Sequence, residues 1–336
     1  MKRSNLIILI LILASCVDRF EPNTNLDTSG IAVTGIITDE NPAVVRIERT
    51  VKIDDDRRKV IRISGAEIRL YENGNLVETL AENIQVFYEG SYKGKPGNIY
   101  HIEADIPDSE SVISEPQIMK PKSGHGQLSI GEAVQYELDQ DGLETPILGL
   151  NLNVNVNTDT ISQYYRWVAS GTYKFNTPNN ENQFCYVVDT AAAQFALGTS
   201  VSSSRDIISK NLRFLESGEK FILGYSATVS QFAMNTESYD YWKKIDDQRN
   251  NVGSLFDSPP AQIIGNVKFK DSESYVPGFF EASSMRIERL FIYPTDFQET
   301  PVFIAANCAS PEAPLWCSNC LFLYNSSETK PSYWPE

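Results

Sequence analysis

The chain has 336 residues, with 44 acidic against 29 basic side chains and a net charge of −15. Such an excess of negative charge repels nucleic acid and anionic headgroups and fits a hydrated surface better than a polyanion-binding role. The length suffices for one large β domain or two ordinary ones, and two are expected.

Residues 6–13 form an unbroken apolar run behind Lys2 and Arg3. As a helix those eight residues cover about 12 Å, against roughly 30 Å of hydrocarbon core, so the segment reads as a leader and not as a span. Leu13-Ala14-Ser15-Cys16 resembles the bacterial lipobox, which is cut before the cysteine and acylated there. Residues 1–15 are therefore read as a signal peptide, Cys16 as the lipid attachment site, and 16–30 as a tether rich in Asp, Asn, Pro and Gly. Val17 stands where an inner-membrane retention aspartate would be. Outer-membrane delivery is expected, on the periplasmic or the surface face.

Short β-branched runs follow at 31–38, 43–50, 66–71, 99–105 and 112–118, separated by turn residues. Asn73-Gly74 predicts a hairpin, because a type I′ turn needs positive φ at both central positions. Residues 31–120 are read as an immunoglobulin-like β-sandwich of about seven strands. Pro116, Pro121 and the stretch 122–126 mark the expected boundary. A larger β-rich domain with one short helix is expected over 126–336. Its clearest strand is 148–157, where Leu or Val takes every even position and Gly or Asn every odd one, giving one dry and one wet face. Further strands are predicted at 163–175, 220–229, 263–270 and 286–293. A helix capped by Asn235 or Thr236 runs to about residue 248, with Tyr241, Trp242 and Ile245 as its apolar stripe. The fold class is thus mainly β.

With Cys16 lipidated, Cys185, Cys308, Cys317 and Cys320 remain, an even number in an exported chain. Two disulfides are the default reading, with three pairings open and a four-cysteine zinc site as the rival. Trp316-Cys317-Ser318-Asn319-Cys320 has a redox-like spacing, but too little chain follows for a thioredoxin fold. His101 and His125 are the sole histidines, one in a strand and one in a linker, and neither suggests catalysis. No nucleophile elbow, phosphate loop or dinucleotide fingerprint is present, so no enzymatic activity and no cofactor are expected. Asp139-Gln140-Asp141-Gly142 echoes part of a calcium loop, yet lacks the full ligand set and reads better as a solvated turn. Aromatics are the remaining recognition candidates: Tyr164 and Trp167 in one strand, Tyr241 and Trp242 in the helix. Such rings stack on a sugar, a peptide or another small molecule, or dock on a protein partner, although alternation buries some of them as core.

Several stretches in order carry a resemblance to a known family: Val33-Thr34-Gly35-Ile36-Ile37-Thr38, Ser64 to Tyr71 before the Asn-Gly turn, Tyr164-Tyr165-Arg166-Trp167, Tyr239-Asp240-Tyr241-Trp242, Gly253 to Asp257, Gly265-Asn266-Val267, and the tail from Cys317 to Trp334. Together with the lipobox they resemble the Bacteroidota lipoproteins catalogued as domain of unknown function 4249. The resemblance implies an outer-membrane lipoprotein, often beside a TonB-dependent transporter, with no established enzymatic activity. An accessory binding component of nutrient uptake is then the expected role, and a structural or adhesive surface lipoprotein is the alternative.

Overall fold

The computed structural model describes residues 30–50, 61–122, 124, 126–139, 142–157, 164–189, 195–200, 207–250, 263–272, 274–297 and 308–335. Cys16, the expected signal peptide, residues 16–29 of the expected tether and His125 lie outside the described residues. The fold is mainly β, as the composition of the runs predicts, with a single α-helix among the described residues.

The first nine strands are β1 (Ile31–Ile37), β2 (Pro42–Arg49), β3 (Ile61–Arg62), β4 (Glu67–Glu72), β5 (Asn75–Glu82), β6 (Tyr88–Lys93), β7 (Ile99–Asp105), β8 (Val112–Ser114) and β9 (Gln117–Ile118). Alternation is strict in β1, where Ile31, Val33, Gly35 and Ile37 are buried and Ala32, Thr34 and Ile36 between them are half-buried. Asn73 and Gly74 both adopt positive φ, 50° and 80°, and β4 turns into β5 there as the dipeptide predicts.

The remaining strands are β10 (Gly126–Leu138), β11 (Glu144–Asn157), β12 (Tyr164–Thr177), β13 (Asn180–Asp189), β14 (Phe195–Thr199), β15 (Ile207–Glu216), β16 (Tyr225–Met234), β17 (Val267–Phe269), β18 (Tyr275–Val276), β19 (Phe280–Ala282), β20 (Ser284–Ile292) and β21 (Ser326–Ser327), with helix α1 (Thr236–Asn250) after β16. A three-stranded sheet, β10-β11-β15, faces a six-stranded one, β20-β16-β12-β13-β21, with β14 alongside β12. Between them Leu150, Leu152, Val154 and Val156 of β11 meet Tyr165, Trp167, Tyr225 and Val229. The even positions of β11 are thus the dry ones from 150 onward, as the period of two requires.

Strands β17 to β19, which fall within 126–336, hydrogen-bond into the first sheet. Its strand path runs β18-β17-β8-β7-β4-β5-β6-β2-β1-β19. The two ends of that path, β18 and β19, are neighbours in the chain, so residues 275–282 close the sheet on itself. Closure is a parallel pairing, with Gly35 opposite Phe280. The Val33 amide donates to the Pro277 carbonyl at 2.8 Å and the Gly35 amide to the Phe279 carbonyl at 2.9 Å. Gly278 permits the approach: its φ is +113°, and a Cβ there would lie 1.9 Å from the Val33 carbonyl oxygen. The core inside this curled sheet holds Val33, Val45, Ile47, Ile68, Leu70, Tyr88, Tyr100 and Ile102, joined by Val267, Val276 and Phe280 from the returning segment.

Candidate functional site

Helix α1 begins where its cap is satisfied. The Asn235 side-chain oxygen accepts from the Ser238 amide at 2.8 Å. The same side chain donates to Gln117 Oε1 at 2.8 Å, so the cap also ties the helix to the end of the first unit. From that start the helix lies over the outer face of β12. Tyr239 stacks on Tyr164, with ring centroids 4.7 Å apart, and Trp242 meets Phe195 edge-on at 5.0 Å.

Period-two geometry divides the aromatic run of β12 between two environments. Tyr165 and Trp167 point into the core, and the Trp167 indole donates to Gln231 Oε1 at 3.0 Å. Tyr164 and Arg166 point the other way, under the helix. Arg166 is nine-tenths buried, and its charge is met by Glu281 of β19, equally buried, with Nη2 at 3.0 Å from Oε1 and 2.8 Å from Oε2. The carboxylate also accepts from the Trp242 indole at 2.7 Å and from the Ser283 hydroxyl at 2.7 Å. The Arg166 guanidinium lies between two rings, 4.2 Å from the Phe232 centroid and 4.3 Å from that of Trp242. One ion pair thus fastens β12, β16, α1 and the returning strand β19 together. Arg166 Nε is buried with no hydrogen-bond partner among the described residues.

Beside this latch a cleft of about 440 Å³ opens between the two β units. Ile36, Val44 and Phe87 form the wall from the first unit, and Phe232, Tyr241 and Trp242 the wall from the second. Tyr241 stacks on Phe279 with centroids 4.5 Å apart and planes 18° from parallel, and burial pushes its phenol pKa up, keeping it a neutral donor. Arg46 is exposed in the lining and has Glu48 at 4.0 Å. Mostly apolar and aromatic walls with a few polar groups suit a planar apolar moiety whose orientation is fixed at its polar end.

Of the sequence candidates, Tyr241 and Trp242 therefore line the cleft. Tyr164 lies nearby in the aromatic layer beneath the helix, and Trp167 is fully buried on the opposite face of its strand. Arg166, Phe279 and Glu281 were missed. A lone Arg and a lone Glu, each within an aromatic or apolar stretch, are the signals that point to them. Cysteines pair as Cys185–Cys320 and Cys308–Cys317, which satisfies all four candidates without zinc. His101 stacks flat on Tyr71 at 4.6 Å, and burial lowers its pKa. Asp139 closes the β10–β11 turn, its carboxylate accepting from the Leu143 amide at 2.8 Å; Asp141 lies outside the described residues.

A search of curated proteins finds no match to this chain. A family match covers residues 17–289, under the description "Domain of unknown function (DUF4249)". It takes in both walls of the cleft and the Arg166–Glu281 latch, and it stops before the disulfide-stapled tail. With most of its length matched, the chain belongs to the DUF4249 family.

Proposed function

We propose that this protein is a non-enzymatic, lipid-anchored binding component of the outer membrane that works beside a TonB-dependent transporter. The observation that carries the reading is the cleft where the two β units meet, walled by Phe87, Phe232, Tyr241, Trp242 and Phe279. A junction between units is a preferred place for a ligand, and aromatic walls favour one with a planar apolar face. The anchor follows from Leu13-Ala14-Ser15-Cys16, and the Bacteroidota origin and transporter partner from the resemblance described above. The first unit is read as an immunoglobulin-like sandwich whose closing strand is supplied by residues 275–282.

The test is a mild-detergent pull-down of tagged, lipidated protein from native outer membranes, with Cys16→Ala as the unanchored control. Stoichiometric recovery of a β-barrel transporter with the lipidated form is the expected result. Recovery of the lipoprotein alone overturns the accessory role.

A further inference from the structure

A second hollow, of about 660 Å³, opens between β14, β15 and the C-terminal end of α1, away from the junction cleft. Its size falls within the roughly 300–1,000 Å³ of small-molecule sites. Its charge runs against that of the chain. The protein carries a net charge of −15, yet this lining presents Lys210, Arg213 and Arg249 against Asp246 alone.

The three cations differ in how far they are already paired. Arg249 donates to Asp246 Oδ1 at 2.6 Å and lies 4.6 Å over the Phe195 ring. Arg213 is nine-tenths buried, and its Nη2 reaches both oxygens of Asp189 at 3.1 Å. Asp189 is shared, since it also accepts from the Tyr225 hydroxyl at 3.0 Å and has the Lys220 ammonium at 3.8 Å. The other terminal nitrogen of Arg213, Nη1, is buried with no hydrogen-bond partner among the described residues, and the Asp189 pair leaves the more exposed Lys210 and Arg249 as the cations open to a ligand. Lys210 is exposed and has no ion pair among the described residues.

The neutral part of the lining narrows the ligand class. Gln135, Asn211 and Asn250 offer amides that both donate and accept, which matches the hydroxyls of a polyol. Leu197 and Phe214 add apolar surface, against which the C–H face of a sugar ring can pack. We propose that this hollow binds an acidic carbohydrate, with a uronate carboxylate held by Lys210 and Arg249 and ring hydroxyls held by the amides.

Isothermal titration of the lipidated protein in detergent with digalacturonate tests the assignment, and the matching neutral digalactoside and inorganic sulfate serve as comparators. Digalacturonate is expected to bind at least tenfold more tightly than either, and less tightly as salt is raised. Lys210→Gln and Arg249→Gln should each weaken it about tenfold, the usual effect of losing one charged hydrogen bond. Lys210 is exposed, so its variant keeps the fold, and circular dichroism checks this. The assignment is overturned if millimolar digalacturonate gives no binding heat. It is equally overturned if the neutral disaccharide or sulfate binds as well, or if Lys210→Gln leaves the affinity unchanged.

Discussion

Replacing Glu281 with Ala should destabilise the protein far more than an average substitution does. The carboxylate lies 2.8 Å from Arg166 Nη2, where Coulomb's law gives roughly 6 kcal/mol at an effective dielectric of 20 and roughly 1.5 kcal/mol in bulk water. Most of that attraction offsets the cost of removing both charges from water, so the pair itself adds little net stability. Removing one partner is different, because Arg166 then keeps the desolvation cost without the attraction, and the loss becomes about 3–5 kcal/mol. The Trp242 indole and the Ser283 hydroxyl lose their acceptor in the same step. At about 2–4 °C per kcal/mol for a unit of 150–250 residues, the unfolding midpoint should fall by about 10 °C. Urea titration followed by far-ultraviolet circular dichroism is the assay, since Trp242 fluorescence would respond to the local change alone. Arg166→Met combined with Glu281→Ala removes both charges and should recover at least 1 kcal/mol of the single-variant loss, as buried pairs replaced together do. A loss below 1 kcal/mol for Glu281→Ala, or strict additivity in the double variant, would refute the argument that an unpaired buried charge is the cause.

The two disulfides should differ in worth, because Cys185–Cys320 closes a separation of 135 residues and Cys308–Cys317 one of 9. Chain entropy predicts losses of about 5 and about 2.5 kcal/mol for the paired Cys→Ser variants; equal losses in urea titrations would contradict it. Glu78 supplies a pH test. Burial raises its pKa, but the hydroxyl and amide of Ser91 and the amide of Tyr92, all within 2.9 Å, outweigh that and hold it below the usual 4.5. A carboxylate depressed on folding contributes stability above its unfolded pKa and loses it as pH falls. Stability should therefore decline below about pH 4.5 and decline less steeply in Glu78→Gln; parallel profiles in thermal melts would count against the assignment.

Elements whose signal is local were legible from sequence. The Asn73-Gly74 turn, the alternation of β11 and the Asn235 cap each depend on residues within a few positions of one another. Gly126–Leu138 was not, because most of its residues face solvent and its strand character comes from pairing with β11. The expected strand at 220–229 starts late, at Tyr225, since Gly224 takes a φ of +99° and breaks the extended backbone. The expected strand at 263–270 is found as β17, whereas β18 and β19 have two and three residues, too few to display a period, and β19 finds its partner in β1, far away in the chain. The cleft inherited that difficulty. Its helix side could be named from sequence, whereas Phe279 and Glu281 reach it through pairing across some 240 positions.

The closure of the first sheet by residues 275–282 also sets an order of events during synthesis. Residues 31–118 emerge early, yet the edge of β1 gains its partner only after a further 150 or so residues have followed. Until then an unpaired β edge and the apolar interior behind it remain open to other chains, the kind of exposure that favours misassociation. The intervening β-rich unit is inserted within the first unit and does not trail it, so the beginning and the later part of the chain must be released together before either is finished. Chaperones that hold the whole polypeptide are thereby better suited to this protein than folding as the chain emerges.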